Sequence, residues 1–187
     1  MMNPAKIILI TGVMASGKST IAQLLAEKIP CSVHLRGDVF RRMVVNGRVD
    51  MSANPTPAAL AQLHLRYKAS FQVAQLYWAS GFNVIYQDVI IGPMLTDVVK
   101  HYQNLPLHVF VLNPQPSVVA LREQKRGKTG YSGITVAQLQ TVLEATERIG
   151  EWIDSSEQLV DETTQALLAR MDNARIDWDY NKELTHE

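Results

Sequence analysis

The sequence predicts an α/β domain built on a parallel sheet. Three observations carry that prediction. Short apolar runs suited to buried strands alternate along the chain with stretches of helical periodicity, the pattern of strand, crossover helix and next strand. The first run, residues 7–10, leads into Gly12-Val13-Met14-Ala15-Ser16-Gly17-Lys18-Ser19, a G-x-x-x-x-G-K-S pattern, and this leads into a helical stretch. The chain has 187 residues, 47% apolar and 19% charged, which suits one domain with a sizeable core.

The elements follow in order. Residues 7–10 are uniformly apolar and mostly β-branched, as a strand covered on both faces requires. Helix one runs from Lys18 to about Ile29 and stops at Pro30. Residues 32–36 alternate and read as strand two; residues 39–45 read as a short helix capped by Asp38. From Asn46 to Pro57 the periodicity dissolves. Asn46-Gly47 is a turn signal, and Asn54-Pro55-Thr56-Pro57 excludes regular helix, so this stretch is expected as a loop beside the site.

Residues 58–80 form a long helix with a buried stripe of Leu60, Leu63, Tyr67, Phe71, Ala74 and Trp78, ended by Gly81. Strand three spans 83–88 and ends in an acid; a helix covers 93–102, and strand four covers 107–112 before Asn113-Pro114. Ser117 caps a helix over 118–125. Thr135, with Gln138 as capping-box partner, opens another that reaches Glu147. Strand five spans 151–155 and the last helix 160–171. The expected domain is 1–173, with a lid at 126–133 and a polar tail at 174–187.

Lys plus Arg and Asp plus Glu number 18 each, so the net charge is zero, which argues against an extended nucleic acid or a membrane surface as partner. No apolar run is long enough to cross a membrane and there is no room for a leader, so a cytoplasmic protein is expected. A single cysteine, Cys31, excludes an intrachain disulfide and is expected as a small buried residue. The five histidines do not fall at metal-ligand spacing, and there is no G-x-S-x-G motif.

Ligands of open parallel sheets bind at the carboxyl ends of the strands. That rule gathers the candidates on one rim. The backbone N–H groups of Gly12, Val13, Met14, Ala15, Ser16, Gly17, Lys18, Ser19 and Thr20 form a phosphate cradle at a helix N-terminus. Lys18 reaches the β- and γ-phosphates of ATP, and Ser19 can ligate Mg²⁺. Asp38 is the expected general base, its other reading being the helix cap. Arg41, one turn on, is better placed than Arg42 to face a phosphate or an acceptor. Asp88 stands where an acid holds Mg²⁺ through water, its other reading being a turn residue; Asp88 and Tyr67 are also candidates on the substrate side. Arg122 and Arg126 lead into a basic, glycine-rich loop with the composition of a lid. Arg148 is a weaker candidate for nucleotide contact.

With these residues assembled, the chain resembles the small P-loop kinases that phosphorylate hydroxyl groups of small molecules. This superfamily includes chloramphenicol phosphotransferase, gluconate and shikimate kinases, zeta-toxin-like kinases and the kinase domain of polynucleotide kinase. The resemblance runs from Lys6 to about Met171 and rests on residues 12–20, Arg36-Gly37-Asp38-Val39-Phe40-Arg41-Arg42, Asp88, and Arg126-Gly127-Lys128-Thr129-Gly130-Tyr131. It implies a three-layer P-loop NTPase fold with a five-stranded parallel sheet in order 2-3-1-4-5, and it carries the base role onto Asp38 by position.

The leading expectation is ATP- and Mg²⁺-dependent phosphorylation of a small-molecule hydroxyl, on an antibiotic, a sugar or a related metabolite. The acceptor would lie between the 46–57 loop and the long helix, where no acceptor motif is legible. A nucleoside, nucleotide or polynucleotide 5′-hydroxyl kinase is the alternative, and a regulatory ATP-binding module the second. A monomer or homodimer is expected.

Overall fold

Strand β1 (Ile7–Gly12) is buried along its whole length, and the rest of the molecule is arranged around it. The structure, a computed structural model, describes residues 4–126 and 134–178. After β1 come α1 (Lys18–Lys28), β2 (Ser32–Arg36), α2 (Gly37–Met43), α3 (Pro57–Ala79), β3 (Asn83–Gln87), α4 (Pro93–His101), β4 (Leu107–Leu112), α5 (Pro116–Arg126), α6 (Val136–Glu144), β5 (Glu151–Ile153) and α7 (Val160–Ala169). The five strands form one sheet in order β2-β3-β1-β4-β5, and every pairing is parallel, as in a P-loop NTPase fold.

Alternation along the strands divides the core in two. Ile7 and Leu9 of β1 face one side with Val84, Tyr86, Val109 and Val111, covered by Tyr67 and Ala74 of α3, Leu95 of α4 and Leu143 of α6. Ile8 and Ile10 face the other side with Ile85, Phe110 and Leu112, covered by Ile21 and Leu25 of α1 and Leu167 of α7. Each fully buried side chain of this size contributes about 1.5–3 kcal/mol of transfer free energy, which explains why β1, β3 and β4 are apolar on both faces.

The expected stripe of α3 holds at five of its six positions: Tyr67 and Ala74 are buried, Leu63, Phe71 and Trp78 pack against the same cluster, and Leu60 is half-buried outside it. Thr56 caps this helix by accepting from the Ala59 N–H at 3.2 Å, with Pro57 in its first turn. The Thr135–Gln138 capping box forms as expected. Three local expectations change. Arg36, not Asp38, is the N-cap of α2, and Asp38 lies inside the first turn. Helix α5 begins at Pro116, before the expected Ser117 cap. Cys31 is exposed, because it occupies the turn between α1 and β2 with φ +48° rather than the strand's buried face. Beyond α7, Ala174 is fully buried, the Val109 N–H donates to its carbonyl at 2.8 Å, and the Ile176 N–H donates to the Leu107 carbonyl at 2.9 Å. Packing on β4 therefore continues past residue 173.

Candidate active site

Three strands reach this rim in register, with β1 running two residues further than β2 and β3. Ile10 pairs with Gln87, and Gln87 pairs with Arg36, so the residues that follow each strand emerge side by side. These are the 12–19 loop after β1, Gly37 and Asp38 after β2, and Asp88 after β3.

The loop turns through three positive-φ residues, Gly12 (+138°), Ala15 (+58°) and Gly17 (+97°), before α1 begins at Lys18. At Gly12 a Cβ would strike the Leu112 carbonyl of the neighbouring strand, so close backbone approach as well as φ requires glycine. The Lys18 side chain is buried and folds back over the loop. Its ammonium donates to the Val13 carbonyl at 2.5 Å and to Ser16 Oγ at 3.3 Å. A phosphate oxygen satisfies the same donors, so the lysine is held at the cradle in a form that a phosphate can replace. Ser19 and Thr20 are exposed in the first turn of α1.

Arg122 of α5 joins the far side of this loop. Its Nη2 donates to the Ser155 carbonyl at 3.1 Å and its Nη1 reaches the Ser16 carbonyl at 3.5 Å. Nearby, where β4 and β5 end, the Gln140 amide donates to Asn113 Oδ1 at 3.4 Å. Ser155 Oγ, Gln140 Oε1 and Gln158 Oε1 are buried without a hydrogen-bond partner among the described residues. The Arg148 guanidinium lies 4.0 Å from the centroid of the Trp152 ring, a cation–π stack on the edge strand β5. The side chain of Arg126 and the expected lid beyond it, residues 127–133, lie outside the described residues.

Asp38 is held in a fork of arginines. Arg41 Nε donates to its Oδ1 at 3.0 Å and Arg42 Nη2 pairs with its Oδ2 at 2.6 Å. Partial burial pushes the carboxyl up. The Arg41 hydrogen bond and the charges of Arg41, Arg42 and Arg66 outweigh it and hold the carboxyl below its ordinary range. Arg41 also donates to Asp50 at 2.6 Å, which ties the irregular 44–56 segment to the site. Gln62 of α3 pins the same segment, accepting from the Val49 N–H at 2.9 Å and donating to the Gly47 carbonyl at 2.8 Å. The 44–56 loop is thus fixed at both Gly47–Val49 and Asp50.

Asp88 is only 3% exposed and is engaged from every side. Arg66 of α3 forms a two-pronged ion pair with it, Nε donating to Oδ2 at 2.7 Å and Nη2 pairing with Oδ1. The Tyr86 hydroxyl donates to Oδ2 at 3.3 Å, and the Val89 N–H donates to Oδ1 at 2.7 Å. A carboxylate offers about four acceptor positions, and all are filled. Tyr67, another candidate, is a core residue whose hydroxyl donates to the Val89 carbonyl at 2.9 Å.

Arg66 was not among the residues singled out from the sequence. A signal existed: it is spaced three and seven residues from Leu63 and Ala59 and four from Ser70, in phase with the buried side of α3. A charged residue there needs a buried partner. Among the described residues no group of three His, Cys, Asp or Glu side chains gathers at metal-binding distance, and no helix is long and apolar enough to cross a membrane.

A family model described as an AAA domain matches residues 7–149. No curated protein matches the chain. Solved structures that share the fold include the following three. A sugar kinase from Janibacter sp. HTCC2649 aligns with a TM-score of 0.68 at 17% identity, covering 91% of this chain and 96% of that one. The tunicamycin resistance protein of Deinococcus radiodurans aligns with a TM-score of 0.67 at 17% identity, covering 92% and 99%. The APS kinase of Mycobacterium tuberculosis, in complex with AMPPNP and APS, aligns with a TM-score of 0.68 at 16% identity, covering 91% and 99%.

Proposed function

The chain belongs to the AAA domain family, and from that premise we propose that it is an ATP-dependent phosphotransferase whose acceptor is a hydroxyl group of a small molecule. One observation carries the reading. A phosphate cradle with a buried lysine follows β1, a carboxylate held ionised by arginines follows β2, and both strands pair in register with β3 between them. A cradle alone binds nucleotide; transfer also needs a group that orients the acceptor and takes its proton.

Residues of the loop bind the phosphates through backbone N–H groups and the N-terminus of α1. Lys18 leaves the Val13 carbonyl and places its charge on the β- and γ-phosphates. Arg122, bridging the loop and the end of β5, adds positive charge on the opposite flank. Asp38 accepts the hydroxyl proton while Arg41 fixes its orientation.

The exposed Ser19 hydroxyl fits a Mg²⁺ ion carried in by the phosphates; Asp88, with its acceptor positions occupied, does not fit as the holder of a metal-bound water in this arrangement. Bound there, Mg²⁺ neutralises phosphate charge during transfer. The kinase, sugar kinase and APS kinase neighbours support a phosphotransferase reading through their shared fold.

The test is a panel of hydroxyl compounds, with antibiotic, sugar and nucleoside arms, read by ADP release and by the mass of the product. A gain of one phosphoryl group on one arm, lost in Lys18→Ala, is expected. ADP release that is independent of any acceptor and unchanged in Asp38→Asn refutes the reading.

A further inference from the structure

We propose that Arg66 is a positioning residue for the Asp38 carboxylate, acting through Asp88 and Gly37; its consequence for turnover rests on Asp38 being the proton acceptor.

The chain of contacts starts in the core. Arg66 is 5% exposed and Asp88 3%, and the two-pronged pairing fixes the carboxylate plane as well as its position. The segment that carries Asp88 is itself tied to the sheet. Thr11 exchanges two hydrogen bonds with Ile90, its hydroxyl donating to the carbonyl at 2.6 Å and accepting from the N–H at 2.9 Å. The carboxylate is therefore a fixed surface rather than a mobile ligand.

Gly37 sits on that surface. A Cβ at residue 37 would collide with the Asp88 carboxyl oxygen and carbon, so the backbone of α2 enters at van der Waals contact with the ion pair. Gly37 is also the only buried residue of α2, a seven-residue helix with no side-chain cap. Its N-cap residue, Arg36, is held in the sheet opposite Gln87, and Gly37 is where the helix itself meets the buried ion pair. Asp38 is the next residue, so the height at which Gly37 rests on Asp88 sets the height of the candidate base.

The electrostatics agree with the geometry. The groups around Asp38 are Arg41 and Arg42 on α2, Arg66 on α3, Asp88 beneath Gly37, and Asp50 through Arg41. Arg66 thus acts on Asp38 both by placement and by charge. A pair that served stability alone would not need the next element's backbone pressed against it.

The experiment uses the full chain and three variants. Arg66→Met with Asp88→Leu removes both charges and keeps the volume apolar, which protects folding. Gly37→Ala keeps both charges and lifts α2 off the carboxylate. Arg66→Lys keeps charge and loses the fork. ADP binding is the control, because the 12–19 loop is untouched, and its affinity should stay within about twofold of wild type. Backbone amide signals of residues 37–43 should shift in the first two variants, with and without ADP.

With the acceptor found by the panel, kcat should fall about 100-fold in both while KM for ATP stays within about twofold, the signature of a misplaced reacting group. Arg66→Lys should fall between these variants and wild type. Unchanged amide signals in Gly37→Ala, which needs no loss of a buried charge, or its unchanged kcat while Asp38→Asn loses turnover, overturns the positioning role. Shifted amide signals together with undiminished turnover in Asp38→Asn support the placement and refute the base assignment instead.

Discussion

Replacing Arg66 by Met strands the Asp88 carboxylate in a site that is 3% exposed, and the cost follows from that burial. Removing one partner of a buried, hydrogen-bonded ion pair costs about 3–5 kcal/mol, because the remaining charge keeps its desolvation penalty without its counter-charge. Against a domain stability of about 5–15 kcal/mol this is a large fraction. For a chain of this size it lowers the melting temperature by roughly 6–20 °C, at ~2–4 °C per kcal/mol. Replacing both partners, Arg66→Met with Asp88→Leu, removes both penalties together, so the double variant should lie within about 2 kcal/mol of wild type.

The assay is urea denaturation followed by circular dichroism on wild type, both singles and the double, with the coupling energy taken from the cycle. The pH dependence gives an internal check. In Arg66→Met the buried, unpaired carboxyl binds its proton more tightly folded than unfolded. That raises its folded pKa, so the stability gap to wild type should narrow as pH falls from 7 towards 4. A single variant that loses under about 1 kcal/mol, or a double variant as unstable as Arg66→Met, refutes the reasoning.

Three further outcomes are expected. Asp38→Asn should lower kcat by about 10²–10⁴-fold with ADP affinity nearly unchanged; because Arg41, Arg42 and Arg66 hold this carboxyl below its ordinary range, wild-type turnover should not lose its base until pH falls below that range, as a pH–rate profile reads. His34, whose pKa burial and the neighbouring Arg36 lower to about 4, should make the fold less stable as pH falls from 6.5 towards 4, since the unfolded chain takes up the proton first. After discounting for its exposure the effect is about 1 kcal/mol, and His34→Gln should remove it in pH-dependent melting curves. Arg122→Ala should raise KM for ATP and lower kcat by about tenfold or more, because it bridges the Ser16 carbonyl of the phosphate cradle and the Ser155 carbonyl after β5; steady-state kinetics with varied ATP checks this.

Much of this fold was legible because its signals are local. The G-x-x-x-x-G-K-S pattern between an apolar strand and a helix needs only neighbours in sequence to be read. The stripe of α3 and the capping box at Thr135 are likewise periodic or three residues apart. Cys31 and Asp38 were misread at the same local scale, because a positive φ and a helix begun two residues early leave little trace in composition.

The sequence by itself determined the parallel α/β frame, the phosphate cradle and the acids that lie at the ends of β2 and β3, since strand periodicity and the carboxyl-end rule need no coordinates. Tertiary structure alone decided what each acid does. Asp88 reads in sequence as a strand-end acid placed to hold Mg²⁺ through water, yet it meets Arg66 twenty-two residues away, because α3 crosses the sheet with that turn facing the end of β3. Which turn of a helix meets which strand end depends on packing angle and register, and these are set by the whole core at once. The same holds for Gly37: only the assembled sheet shows that its missing side chain leaves room for a carboxylate, and that the candidate base stands on a buried ion pair.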